Sequence, residues 1–129
     1  MGLYALGGTR HIQAGDMVVA WPPRAARRLA ADRHYLPLAV PMVKRVAAVA
    51  GARVCASGTA IRIDGDLAAI RRRRDRAGRR LPTWDGCKVL KPGELLLISS
   101  HVPDAFDGRY FGLTHMREVV GKGHLLWRS

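Results

Sequence analysis

Acidic residues are scarce in this chain: 10 Asp and Glu stand against 22 Lys and Arg, which leaves a formal net charge of +12 over 129 residues. Aromatic residues are scarce too, at 6%, and none interrupts the most basic stretch, so the stacking platform of a nucleic-acid binder is missing and no nucleic-acid partner is expected. Long hydrophobic runs are absent. The nearest approach, residues 35–43, is broken by Pro37 and Pro41 and stops at Lys44, well short of the roughly 18 apolar residues that a spanning helix needs. No charged-then-apolar signal segment opens the chain, so export would depend on an element outside it. The five histidines, His11, His34, His101, His115 and His124, have neither HxxxH nor HxH spacing. Neither a metal nor another cofactor is therefore expected.

What is present is enough for one domain spanning 1–129. Hydrophobic residues make up 48% of the chain, and a domain of this size hides about two thirds of its unfolded surface. Half of the net charge sits in residues 71–80 (RRRRDRAGRR), where seven arginines accompany one aspartate. Such a run reads first as a solvated loop, because so many like charges repel and resist burial; the functional alternative is contact with phosphate or anionic lipid. The two cysteines, Cys55 and Cys87, match neither a CxxC pair nor a four-ligand zinc pattern. Spacing leaves two readings open, small buried hydrophobes or a disulfide across a loop.

The pattern along the chain is that of many short strands. Residues 17–21 form an apolar run stopped by Pro22 and Pro23; Ala25, Ala26, Leu29 and Ala30 then share one side of a short helix over 24–33. Residues 42–50 contain the β-branched Val43, Val46 and Val49 and end at Gly51, which favours a strand. Residues 60–63 and 66–70 flank Asp64-Gly65 and read as a hairpin. Residues 87–90 and 94–99 flank Pro92-Gly93 and read as a second strand pair, with 109–113 and 124–127 as short closing strands.

From pattern alone, Lys44 and Arg45 read as a basic pair on the wet face of an edge strand. The sharper alternative is a lysine desolvated among Met42, Val43, Val46 and Val49, with its pKa lowered toward that of a general base. Order and spacing favour the second. Gly2-Leu3-Tyr4, then Gly15-Asp16, then Lys44-Arg45-Val46 with Gly51, and finally the box 107–112 (DGRYFG) follow one another as they do in the type I signal peptidases, which the chain resembles. Within that family it is similar to the TraF-like peptidases of conjugative transfer systems, on Val54-Cys55, on 75–79 (DRAGR), on 81–87 (LPTWDGC) and on 106–112.

The resemblance implies a mainly β, signal-peptidase-like fold of short strands with one short helix and an inserted β-hairpin segment at about 56–86. It also implies a serine–lysine dyad, in which a neutral lysine amine takes the proton of an attacking serine hydroxyl. Lys44 takes the general-base position, and Asp107 with Arg109 takes the supporting buried pair. Gly2, Leu3 and Tyr4 match the end of the family's Ser-x-Pro-x-Gly-x-Tyr stretch and so fall in its substrate-binding region. The nucleophilic serine is expected three residues upstream of Met1, preceded by a membrane anchor, so that the chain as written starts just inside the catalytic motif and lacks the nucleophile, either through a misplaced start or as a remnant. Ala105 replaces a serine that in many relatives holds the lysine amine; Ser99 and Ser100 read first as a strand-end turn and, in the alternative, as partial substitutes. Cys55 and Cys87 are implied to form a disulfide at the base of the insertion. The implied substrate is an exported, pilin-like precursor with small residues before the cut, and the implied location is the periplasmic face of the inner membrane. The competing reading is a non-catalytic basic β-domain on nucleic acid or an anionic membrane surface.

Overall fold

A computed structural model of the chain describes residues 4–7, 11–99 and 101–125. Gly2, Leu3 and Ser100 lie outside the described residues, and of Tyr4 and His124 only the backbone is described. The described elements are β1 (Tyr4–Gly7), β2 (Met17–Ala20), α1 (Arg24–Asp32), β3 (Met42–Ala48), β4 (Arg53–Ser57), β5 (Ala60–Ile63), β6 (Asp66–Ile70), β7 (Gly86–Val89), β8 (Glu94–Leu97), α2 (Gly108–Phe111), β9 (Thr114–His115), a 3-10 turn (Met116–Glu118) and β10 (Val119–Leu125). The strands form two antiparallel sheets, one in the order β1-β10-β2-β3-β8-β9 and one in the order β6-β5-β4-β7. The architecture is mainly β. None of the described helices is long and apolar enough to cross a membrane.

The strand β3 settles the orientation of Lys44. It is an interior strand, hydrogen-bonded to β2 on one side and β8 on the other, which corrects the edge-strand expectation. Side chains alternate across a sheet, and here Met42, Lys44, Val46 and Ala48 are buried while Val43 and Arg45 are exposed. Lys44 therefore occupies a core position of the alternation. Met42 and Val46 join Val18, Ala20, Leu95 and Leu97 in one apolar cluster, and Ala48 joins Val54, Ala56, Ile61, Leu90, Leu96 and Ile98 in a second.

The chain passes between the sheets at two adjacent corners, 49–52 and 90–93, which are stitched by Gly51 N–H to the Leu90 carbonyl and Leu90 N–H to the Ala52 carbonyl, both 2.9 Å. This corrects the pairing read across Pro92-Gly93. Residues on either side of that turn enter different sheets, β7 beside β4 and β8 beside β3 and β9. The apolar character of 94–98 serves burial between the clusters, whereas β7 is exposed along its length. Lys88 Nζ still reaches the Glu94 carboxylate at 2.6 Å and ties the corner. The hairpin of β5 and β6 forms about Asp64-Gly65, with Asp64 at φ 51° and Gly65 at φ 87°, as a two-residue turn of this kind requires.

Two further readings are corrected. Residues 109–113 do not form a closing strand: Asp107 caps a turn of helix by accepting from the Arg109 N–H, and Gly112 at φ 78° ends it, so the chain has a second short helix besides α1. The last strand starts earlier than read, at Val119, and residues 126–127 lie outside the described residues. α1 matches its expectation. It follows Pro23, buries Ala26 and Ala30, and packs them against Leu81, Phe106 and Tyr110 in a third cluster.

Cys55 and Cys87 are directly opposed on β4 and β7 and are joined by a disulfide. It closes a loop with a sequence separation of 32 that contains β5, β6 and residues 71–80. Reduction is expected to lower stability by about 3 to 4 kcal/mol through the regained loop entropy. Urea unfolding with and without reductant measures the difference, and equal midpoints would contradict a structural role for the bond.

Candidate active site

Lys44 lines a cleft, and Asp107 and Arg109 lie near enough for their charges to act on its amine. Lys44 is 8% exposed, Asp107 is fully buried and Arg109 is 3% exposed. The two box residues are a bidentate pair: Arg109 Nε donates to Asp107 Oδ1 at 3.0 Å and Arg109 Nη2 to Oδ2 at 3.0 Å. Burying two charges costs solvation that is offset only when the remaining donors and acceptors are filled. Here they are filled. Asp107 also accepts from the N–H groups of Ser99 at 2.9 Å and of Arg109 itself at 3.0 Å. Arg109 donates to the carbonyls of Ser99 and Val102, both at 2.9 Å, and of Ile70 at 3.2 Å and Pro103 at 3.4 Å. One ion pair thus shapes the whole turn 99–107 and fastens the end of β6 to it.

Burial lowers the Lys44 pKa from the ordinary lysine value of 10.5; the nearby Asp107 charge raises it in part, and the Arg109 charge lowers it. Desolvation dominates because it disfavours the ammonium directly, while the two fixed charges oppose each other. The result is an amine that gives up its proton more readily than a solvated lysine. No bond from Ser99 to the amine is seen; its backbone N–H and carbonyl serve the Asp107–Arg109 pair. Ala105 lines the cleft together with Lys44.

The cleft holds about 530 Å³. Its floor is the third apolar cluster, with the Phe106 ring 5.0 Å from Tyr35, 5.9 Å from Tyr110 and 5.5 Å from Phe111 between centroids. One wall is the arginine-rich segment, which sequence reasoning treats as a uniform solvated run. Its first residue departs from that reading. Arg71 is 2% exposed and donates to the carbonyls of Gly58 at 2.8 Å, Trp84 at 2.7 Å and Arg109 at 3.4 Å, and to Asp85 at 2.9 Å. A guanidinium has five donors in a rigid fork, and Arg71 uses them to join the insertion to the box. Two neighbours extend the joint: Arg72 N–H donates to the Tyr110 hydroxyl at 2.9 Å, and Trp84 Nε1–H donates to the Gly108 carbonyl at 2.9 Å. Arg71 has no distinguishing signal in a run of four arginines; Trp84 has one, as a lone tryptophan in a loop with a buried partner to find.

Gly108 is required by packing. A Cβ there would lie 2.7 Å from Leu96 Cδ1 and 2.8 Å from the Leu97 carbonyl oxygen. Because the second obstacle is backbone, Gly108→Ala is expected to destabilise by about 1–3 kcal/mol, read as a lowered thermal midpoint. An unchanged midpoint would contradict the close approach of α2 to β8.

Residues 3–128 match the family described as signal peptidase, peptidase S26. A probable conjugal transfer protein TraF of Sinorhizobium fredii is 35% identical over 116 residues, covering 83% of this chain and 60% of the relative. A plasmid transfer protein TraF of Escherichia coli is 34% identical over 84 residues, covering 61% of this chain and 46% of the relative. The chain therefore spans about half to three fifths of the length of these curated relatives. The crystal structure of a signal peptidase I from Enterococcus faecalis V583 superposes with a TM-score of 0.50 at 18% identity, covering 88% of this chain and 97% of the other. That likeness establishes the fold.

Proposed function

The chain belongs to the signal peptidase S26 family, and from that premise we propose that it is the catalytic domain of a membrane-anchored serine endopeptidase of the TraF-like kind. Its substrates in this reading are exported precursors, a pilin precursor of a conjugative transfer system among them, and it works at the periplasmic face of the inner membrane. The observation that carries the reading is a lysine on the buried face of β3, with lowered pKa, lining an open cleft beside the Asp107–Arg109 pair.

A serine from the Ser-x-Pro stretch that precedes Gly2-Leu3-Tyr4 in the family is the proposed nucleophile. As its oxygen bonds to the scissile carbonyl carbon, the neutral Lys44 amine takes the hydroxyl proton. The tetrahedral intermediate then collapses, the peptide C–N bond breaks, and Lys44 passes the same proton to the departing amine. Water repeats the sequence on the acyl-enzyme and frees the serine. Asp107 and Arg109 do not touch substrate in this scheme; they hold the turn 99–107 and the polarity around Lys44.

The test is cleavage of a peptide with small residues before the cut by the chain extended ahead of Met1 with Ser-x-Pro. Cleavage that needs the added serine and Lys44 is expected. Activity that survives replacement of the serine by alanine would overturn the dyad. The competing basic-domain reading predicts phosphate binding that falls by orders of magnitude from about 50 to about 200 mM salt, whereas peptide cleavage is expected to change little over that range.

A further inference from the structure

The cleft beside Lys44 carries a charge that proton transfer does not use. Its floor is apolar, with Leu36, Leu81 and Phe106, but around it stand Arg33 and Arg72, Arg74, Arg76 and Arg79, with Asp75 and Asp104 as the only carboxylates among the described lining. Five guanidinium groups against two carboxylates leave a surplus of three positive charges around one opening. Both carboxylates are already engaged. Asp75 accepts from the Tyr35 hydroxyl at 2.6 Å and from Arg79 Nε and N–H at 2.8 Å, and the Tyr35 bond, followed by those to Arg79, holds its pKa at about 2. Asp104 is shared between Arg72 at 3.0 Å and Arg76 at 2.9 Å.

Arg33 and Arg74 differ from the rest. Arg33 Nη1 donates to the Arg80 carbonyl at 2.8 Å and the Tyr35 hydroxyl at 3.2 Å, and Arg74 Nη1 donates to the Gly78 carbonyl at 2.9 Å. Neutral oxygens orient a guanidinium without cancelling its charge, and most of the five N–H donors of each remain available. The two come from separate parts of the chain, the cap of α1 and the insertion, and converge on one concavity. A concave opening with an apolar floor suits an extended peptide.

We propose that this rim recognises a carboxylate on the peptide occupying the Lys44 cleft, with Arg33 and Arg74 as the specificity-determining residues. The inference rests on the peptidase reading above. The carboxylate belongs either to an acidic side chain or to a free C-terminus, and the two sources share the same fork-to-fork recognition by arginine.

Binding to the 129-residue chain tests this without any need for turnover. Three peptides share small residues at the cut and differ in charge: one with a Glu side chain and amidated end, one with Gln and a free C-terminus, and one with Gln and an amidated end. Fluorescence anisotropy gives the affinities, and Arg Nε–H and Lys44 resonances report the place of binding. One of the two carboxylate peptides is expected to bind about tenfold more tightly than the uncharged one, as for a hydrogen bond to a charged group, and which one does so identifies the source. The preference is expected to collapse in Arg33→Gln/Arg74→Gln, and in the unmodified protein to shrink as salt rises. Equal binding of all three peptides at Lys44 would overturn the carboxylate proposal and leave the peptidase reading standing. Failure of every peptide to perturb Lys44 would overturn both. Perturbation of Arg33 and Arg74 by anionic vesicles but by no peptide would assign the rim to a membrane surface instead.

Discussion

Asp107→Ala is expected to cost about 3–5 kcal/mol of stability, the loss measured when one partner of a buried ion pair is removed. The magnitude follows from what would remain. Arg109 is 3% exposed and would keep its charge, and its carbonyl partners cannot neutralise it. The same substitution removes the acceptor for the N–H groups of Ser99 and Arg109, which leaves two backbone donors open and uncaps α2. For a domain of ordinary stability, about 5–15 kcal/mol, this is a large share of the total. Urea unfolding gives the difference as a shift of midpoint at constant slope. Asp107→Leu combined with Arg109→Met is expected to lose less than Asp107→Ala alone, because no charge is stranded. A loss below about 1 kcal/mol for Asp107→Ala would show that the pair is not the support of the turn 99–107.

Lys44→Met is expected to act in opposite directions on stability and on catalysis. In the serine-bearing chain it removes the general base, and cleavage is expected to fall by about 10²- to 10⁴-fold. Lys44→Arg is expected to be equally inactive, since a guanidinium stays protonated. Stability is expected to rise at neutral pH. The Lys44 pKa is lowered on folding, so below its folded value the native state carries the full penalty of a buried ammonium, and stability climbs as pH rises from that value to the unfolded one. Replacement by an apolar side chain of similar length removes the penalty. The gain is therefore expected to be largest below the folded value and to fade as pH approaches the ordinary lysine value. A methionine variant that is less stable than the parent at pH 7 would show that the amine is well solvated.

Much of this site is legible in the sequence, and what is not has physical causes. Pattern alone reads Lys44 as half of a basic pair on a wet face, and only the order and spacing shared with the peptidases point to the buried position it takes on β3, because a pattern cannot show whether a strand has neighbours on both sides. The hairpin about Asp64-Gly65 and the helix after Pro23 are visible because local chemistry decides them. Pairing across Pro92-Gly93 is misread because a tight turn looks the same whether the strands continue as partners or part into two sheets. The helical turn 108–111 is misread for a related reason. Its aromatic residues have β propensity, and the deciding contact is a cap by Asp107. Arg71 is hidden by its three identical neighbours, and only the carbonyls of Gly58, Trp84 and Arg109, distant in sequence, single it out.

The proposed dyad depends most on the state of one amine. Titration of the lysine side chains of the 129-residue chain by carbon-detected NMR, with the Lys44 signal identified by its absence in Lys44→Arg, measures that state directly. A Lys44 midpoint clearly below the ordinary lysine value of 10.5 is predicted, with a further fall in Asp107→Asn because the carboxylate favours the ammonium. A Lys44 midpoint at the ordinary 10.5 would contradict the desolvated amine and, with it, the assignment of Lys44 as the base.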